Sequence, residues 1–199
     1  AKTSFAAFLG LRSENKYDTT SEKMFKRIAK ELISPKERKE LLKHYVYSVI
    51  IAHEDLHSKN LSLIFDDGKV LFSPLYDMCA TEFYDNAKGY ESHLTINGKR
   101  NNIRPNDFKP LCKILNIDFK EFRSEAKLIA NTFRDNMLAY YDEIEKLGHI
   151  NYAIRKQSTK RGDTNSTFKK VVEHKEFVDV LRDYHKRRVD TLTEHGWLL

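Results

Sequence analysis

The apolar residues of this chain recur mainly at helical spacing. Met24, Ile28 and Leu32 lie four residues apart, which predicts a first helix in this part of the chain. A second helix is predicted from Ser34 to about Ala52, because a serine and a proline followed by an acidic residue are typical of a helix N-terminus. Apolar residues occupy a wider arc toward the end of this helix, so we expect that end to be buried.

Two short apolar runs break the helical pattern in the next part of the chain. Leu61 to Phe65 and Lys69 to Phe72 lie on either side of Asp66-Asp67-Gly68, an arrangement that predicts a β-hairpin. His93 to Ile96 predicts one further strand, and Asn97-Gly98 after it predicts a turn. The sequence thus predicts a small sheet inserted early in the chain.

The remaining apolar positions again follow helical spacing. Helices are predicted over Pro105 to Leu115, over Phe119 to Leu147, and from Phe168 or later to Thr193. Gln157 to Thr167 is rich in Ser, Thr, Lys, Gly and Asn, and it predicts a loop between the last two helices. The whole chain, 1–199, is therefore predicted to be one mainly α domain with a small β-hairpin or sheet.

Composition places the chain among folded proteins of a reducing compartment. Of its 199 residues 40% are hydrophobic and 12% are aromatic, enough for a substantial core. Its two cysteines, Cys79 and Cys112, exclude a disulfide framework and favour a cytoplasmic location. The longest apolar stretch, Tyr45 to Ala52, is too short to span a bilayer, so no membrane partner is expected. The net charge of +6 permits a phosphate-bearing partner without requiring one.

The polar residues between the second helix and the hairpin carry the candidate chemistry. Asp55 and Asn60 are five positions apart, and Asp77 follows Asn60 by seventeen positions, beyond the hairpin. Protein kinases place a catalytic carboxylate and two magnesium ligands in this order around such a hairpin. The spacing therefore predicts phosphoryl transfer, with Asp55 orienting a hydroxyl group and with Asn60 and Asp77 holding the metal ion.

Two basic residues of the same segment fit that chemistry. Lys59, next to Asn60, can offset negative charge on the phosphoryl group during transfer, which makes it a second candidate catalytic residue. His57 is predicted to contact the nucleotide or its phosphates. In a purely structural alternative, Asp55 and Asn60 would cap turns and Asp77 would end a strand.

The same segment also contains a zinc-protease signature, His-Glu-x-x-His. In that interpretation His53 and His57 would lie one turn apart on a helix and bind zinc, with Glu54 as the general base. The helical pattern weakens before Ser58, however, and the next downstream candidate for a third ligand, Glu82, lies beyond the hairpin. The sequence favours the kinase interpretation and leaves a zinc hydrolase as the alternative.

At these residues the chain resembles the HipA-type serine/threonine kinases of bacterial toxin–antitoxin systems. The pattern of that family is Asp-x-His-x-Lys-Asn-x-Ser followed by Pro-x-Tyr-Asp. This chain reads Asp55-Leu56-His57-Ser58-Lys59-Asn60-Leu61-Ser62 and then Pro74-Leu75-Tyr76-Asp77. Lys16-Tyr17 and Leu94 to Lys99 also look like family segments. The chain departs from the pattern at His53-Glu54, where the family usually has glycine and asparagine or similar small residues.

The resemblance implies a protein-kinase-like C-terminal lobe that uses ATP and Mg²⁺. It implies a catalytic loop at 53–62, the hairpin at 60–73 and a magnesium-binding segment at 74–81. The seven glycines of the chain form neither Gly-x-Gly-x-x-Gly nor a phosphate-binding loop of the Walker type. We therefore expect that the N-terminal lobe is absent, either deleted or supplied by a separate chain. Without it the chain is expected to be inactive or weakly active.

The resemblance also implies partners. These are a helix-turn-helix antitoxin of the HipB type, operator DNA bound through that complex, and an aminoacyl-tRNA synthetase as the phosphorylated substrate in the bacterial cytoplasm. Lys99, Arg100 and Arg104 belong to a basic turn that could contact nucleic-acid phosphates, although the sequence favours a solvated hairpin tip. A non-catalytic binding or regulatory remnant of the same fold is the alternative to an active kinase.

Overall fold

The computed structural model describes residues 1–11, 19–32, 34–83, 87–157 and 170–198. They form two compact units, one of residues 1–133 with 191–199 and one of residues 134–190. The helices are α1 (Phe5–Phe8), α2 (Ser21–Ile28), α3 (Pro35–Ile50), α4 (Lys109–Leu115), α5 (Phe119–Glu145) and α6 (Phe177–Glu194), and the strands are β1 (Lys2–Ser4), β2 (Ser62–Asp66), β3 (Lys69–Phe72), β4 (Asn151–Gln157) and β5 (Lys170–Glu176). The prediction of a mainly helical fold with a small sheet is confirmed.

The first unit is built around α3. Its buried residues include Tyr45, which packs edge-to-face against Phe25 of α2 with ring centroids 4.7 Å apart. The Arg38 guanidinium donates hydrogen bonds to the backbone oxygens of Ala29, Leu32 and Leu115. The carbonyls of Ala29 and Leu115 lie at the ends of α2 and α4, and that of Leu32 lies just beyond α2, so one side chain satisfies three part-buried acceptors. α3 is thereby fixed before it reaches the candidate catalytic loop.

The first sheet is antiparallel, in the order β1-β2-β3. The predicted hairpin is confirmed: Leu63 pairs with Phe72, and the turn uses left-handed conformations at Asp67 (φ 42°) and Gly68 (φ 71°), as primed hairpin turns require. The sequence did not predict β1, which pairs Thr3 with Leu63. β1 has only three residues and therefore shows no alternation of its own.

The predicted strand at His93–Ile96 is wrong. Within this segment Ile96 makes an isolated bridge with Lys99, and the preceding residue, Ser92, makes another with His53. Nearby backbone groups are used locally instead, since the N–H groups of Glu91 and Ser92 both donate to the Arg100 oxygen. The turn predicted at Asn97-Gly98 is present, with both residues at positive φ.

The second unit contains a hairpin that the sequence did not predict. β4 and β5 pair antiparallel, with Asn151 opposite Glu176, so the helix predicted from Phe168 begins only at Phe177. The predicted loop at Gln157–Thr167 lies outside the described residues beyond residue 157. Among the helices of the described residues, none has the length and apolar character needed to cross a bilayer.

Candidate active site

The candidate catalytic loop starts where α3 is broken. Ala52 adopts a left-handed conformation with φ 53°, and the His53 N–H turns back to donate to the Ser48 oxygen over 2.8 Å. A residue with a Cβ rarely adopts this conformation, so the break is enforced by the surrounding structure. The polypeptide beyond residue 52 is therefore a loop, held at His53 by its bridge to Ser92.

Asn60 and Asp77, the two predicted magnesium ligands, lie in direct contact. The Asn60 Nδ2 donates to the Asp77 Oδ2 over 2.5 Å, and the Asn60 Oδ1 accepts the His57 N–H over 3.0 Å. Asn60 is buried, whereas Asp77 is exposed and has φ 56°. The hairpin thus folds back so that residues seventeen positions apart form one oxygen-rich corner.

Asp55 lies on the open side of the loop. Its side chain is 52% exposed, and its Oδ2 lies 4.0 Å from the Nε2 of His57, whose ring is nearly buried. Lys59 is also exposed. An exposed carboxylate beside a buried imidazole is accessible to a hydroxyl group from another molecule.

Tyr76 connects the segment that carries Asp77 with the loop that carries Lys59, a role that the sequence analysis did not assign. Its hydroxyl donates to the Lys59 backbone oxygen over 2.7 Å and also lies 2.7 Å from the Ser62 hydroxyl. Burial raises the pKa of Tyr76, so the phenol stays protonated and can donate. The signal available in the sequence was its position directly before Asp77, since a neighbour of a metal ligand often orients it.

His53 and His57 do not form the helical pair that a zinc protease requires. α3 ends at Ile50, before both residues. The His53 Nδ1 donates to the Cys79 backbone oxygen over 2.9 Å, and burial lowers the pKa of His53, so the ring is neutral and serves the loop structure. Within the described residues, no group of three or more His, Cys, Asp or Glu is arranged to hold a metal ion.

Glu54, which would be the general base of a zinc protease, accepts hydrogen bonds from backbone N–H groups. Its carboxylate accepts N–H bonds from Lys88, Gly89 and Tyr90, at 2.7 to 3.2 Å. Its own N–H donates to the Thr81 hydroxyl over 2.9 Å. The sequence analysis did not anticipate these contacts, because they join residues at least 27 positions apart.

The basic turn after residue 96 is partly neutralised by the protein itself. The Lys99 Nζ lies 2.9 Å from a carboxylate oxygen of Asp107, and the Arg100 guanidinium lies over the Tyr90 ring at 5.6 Å. Arg104 is exposed. The three predicted nucleic-acid contacts are therefore close in sequence but differ in how much of their charge is available to a partner.

Comparison with known proteins relates the chain to a bacterial family. The family model described as the HipA-like C-terminal domain matches residues 2–147. Over 78 residues, which are 39% of this chain and 19% of the relative, the chain is 33% identical to Y4dM of Sinorhizobium fredii, a protein with a provisional kinase name. The fold is similar, with TM-score 0.64 and 13% identity, to a chain in the complex of HipA, HipB and operator DNA from the Shewanella oneidensis MR-1 toxin–antitoxin system. That similarity covers 99% of this chain and 44% of the other, so this chain spans less than half of that protein.

Proposed function

The chain belongs to the family of HipA-like C-terminal domains, and from this premise we propose that it carries the catalytic residues of a protein serine/threonine kinase. The main support is the contact between Asn60 and Asp77, which joins the two predicted metal ligands across the hairpin. A site that only capped turns would not require a buried amide to bind an exposed carboxylate from a separate segment. The name of Y4dM points in the same direction.

In the proposed reaction Asp55 accepts a hydrogen bond from a serine or threonine hydroxyl and aims its oxygen at the γ-phosphoryl group of ATP. The new O–P bond forms as ADP leaves, and the hydroxyl proton passes to Asp55. The Asp77 carboxylate and the Asn60 Oδ1 would hold Mg²⁺, which prefers a few protein oxygens and takes its remaining ligands from phosphates and water. Bound magnesium supplies charge neutralisation for the phosphates. His57 and Lys59 would contact those phosphates.

The hydrogen bonds of Asn60 are compatible with such a metal site. Its Oδ1 uses one lone pair for the His57 N–H and, as an amide oxygen, has a second. Its Nδ2 fixes one carboxylate oxygen of Asp77 and thereby sets the direction of the other. Asn60 thus orients Asp77 in addition to its predicted role as a ligand.

A complete kinase also needs groups that cover the nucleotide. The glycines of this chain do not form such a loop, and the chain spans 44% of the related HipA chain. We propose that these groups come from a lobe outside the 199 residues. The chain alone should then bind ATP weakly and transfer phosphate slowly or not at all.

The proposed partners follow from the family. The related solved complex contains HipA, HipB and operator DNA, and by analogy a HipB-like antitoxin and its operator would bind here. An aminoacyl-tRNA synthetase is the proposed class of substrate. Arg100 and Arg104 are better placed to contact DNA phosphates than Lys99, whose charge is paired with Asp107.

The decisive test is Asp55→Asn in the protein assembled with its N-terminal lobe. It should lower the rate of phosphate transfer to a protein substrate by about 100-fold or more, since a positioned carboxylate contributes roughly this much. Asp67→Asn, in the exposed hairpin turn, is the matched control and should leave the rate unchanged. If the Asp55 variant transferred phosphate as fast as the control, a non-catalytic binding role would be favoured.

A further inference from the structure

Glu54 precedes Asp55 in the candidate catalytic loop, at a position where the proposed reaction needs no carboxylate. Its side chain is only 8% exposed. A buried carboxylate is costly unless hydrogen bonds compensate for its lost hydration. The contacts of Glu54 therefore show what the residue stabilises.

Three successive backbone N–H groups converge on this carboxylate. The Lys88 N–H lies 2.9 Å from Oε1 and 2.7 Å from Oε2, and the N–H groups of Gly89 and Tyr90 lie 2.8 and 3.2 Å from Oε2. Gly89 has φ 77°, a conformation that lets neighbouring N–H groups point to the same side. Such a concave group of donors binds an anion, so here a segment of the chain binds the charge of the catalytic loop.

The segment held in this way, residues 88–93, lies beside the candidate active site. Ser92 bridges to His53, and the Glu54 N–H donates to Thr81, whose hydroxyl donates to the Ala52 oxygen. Burial lowers the pKa of His93, and the positive charges of Arg100 and Lys88 lower this pKa further. The negative charge of Asp55 acts in the opposite direction and raises the pKa. His93 therefore lies within electrostatic reach of Asp55.

We propose that Glu54 is a positioning residue, whose buried carboxylate fixes segment 88–93 against the catalytic loop and so holds Asp55 in place for the acceptor hydroxyl. The proposal rests on the proposed kinase function. Glu54→Gln tests it sharply, because the amide has almost the same size but turns an NH₂ group toward N–H donors. The matched control is Asp107→Asn, which alters another buried carboxylate that accepts a backbone N–H, that of Arg104, outside the catalytic loop.

The experiment combines steady-state kinetics with amide hydrogen exchange, both on the protein assembled with its N-terminal lobe. Glu54→Gln should lower kcat by about 30-fold while KM for ATP changes less than about two-fold, as expected when orientation and not binding is lost. Asp107→Asn should leave kcat within about two-fold at a similar loss of melting temperature. Exchange at Lys88 to Tyr90, and at the Leu56 N–H that donates to the His53 oxygen, should rise by roughly 10-fold or more in Glu54→Gln alone.

The kinetic and the exchange measurements distinguish a failure of the proposed role of Glu54 from a failure of the proposed kinase function. A kcat of Glu54→Gln equal to that of the control would overturn the positioning role while leaving the kinase function intact. If the wild-type protein transferred no phosphate, the kinase proposal would fail and the exchange data alone would decide. In that case faster exchange at residues 88–90 without any change at Leu56 would reject the link between Glu54 and the loop that carries Asp55.

Discussion

At the scale of single residues, the site depends on side chains whose hydrogen bonds join distant segments. Asn60 binds both the backbone of its own loop and Asp77, and Tyr76 binds the backbone of Lys59. Hydrogen bonds to charged groups are stronger than neutral ones, and burial of one partner protects them from water. The geometry of the candidate active site is thus determined by a few polar contacts at the end of α3.

His44 is a buried residue with a clear consequence for stability. It lies on α3, packs edge-to-face against Phe72, and has no hydrogen-bond partner for either ring nitrogen among the described residues. Burial, with a smaller contribution from the charge of His53, lowers the pKa of His44 from 6.5 to about 4. Between these values the unfolded chain binds a proton that the folded chain excludes, so stability falls as the pH falls from about 6.5 to about 4.

We predict that His44→Leu removes part of this acid sensitivity. The loss of unfolding free energy between pH 7 and pH 4.5 should shrink by about 2 kcal/mol, which corresponds to the proton that His44 no longer excludes. Urea denaturation at pH 7 and at pH 4.5 measures the free energy of unfolding at each pH. The control is His149→Leu, at a side chain 95% exposed, which leaves the buried His44 in place. An equal pH dependence in both variants would contradict the assignment to His44.

At the scale of elements, the sharp end of α3 creates the candidate catalytic loop. The helix would otherwise continue through His53 and His57 and present them on one face, as in the zinc interpretation. Ala52 stops it by adopting a left-handed conformation, and the N–H of His53 then binds the oxygen of Ser48. This backbone conformation therefore removes the helical histidine pair that the zinc interpretation requires.

We predict that Ala52→Gly stabilises the protein by about 1 kcal/mol, because an alanine pays a steric cost at positive φ that glycine avoids. Within a helix the same substitution should instead destabilise the protein. Ala130→Gly, at a buried position of α5, should destabilise by about 1 kcal/mol or more. Thermal unfolding of both variants measures the difference. Destabilisation by both substitutions would mean that the Ala52 methyl group contributes more by packing than its backbone loses by strain.

At the scale of the whole molecule, the net charge of +6 permits binding to phosphate-bearing partners but does not select one. Two exposed arginines of the basic turn, Arg100 and Arg104, are the proposed DNA contacts. Each phosphate contact releases counterions, so its removal changes the salt dependence of binding and not only its strength.

We predict that Arg100→Ala with Arg104→Ala weakens DNA binding by the antitoxin complex and lowers the slope of log affinity against log salt by roughly 2. Fluorescence anisotropy at several salt concentrations measures this slope. The control pair is Lys26→Ala with Lys30→Ala on and just after α2, which removes the same net charge elsewhere. Equal changes in the two pairs would mean that only net charge matters and that the turn is not a contact.

Much of the site and fold could be predicted from local patterns. The periodicity of α2, α3 and α5 and the Asp-Gly turn of the first hairpin are local signals, and the structure confirms them. The spacing of Asp55, Asn60 and Asp77 led to the family that the comparison then showed. These features could be predicted because each depends on residues that lie near one another along the chain.

Other features depended on contacts between distant segments. β1 becomes a strand only by pairing with β2, and β4 and β5 only by pairing with each other. Glu54 was interpreted as a zinc-protease base, but three backbone N–H groups more than thirty positions away engage it. The order of its residues determined which side chains this protein has available for the proposed phosphoryl transfer. Only the tertiary structure decided which of them meet, because a backbone donor has no sequence signature and its partner is set by how the chain folds back.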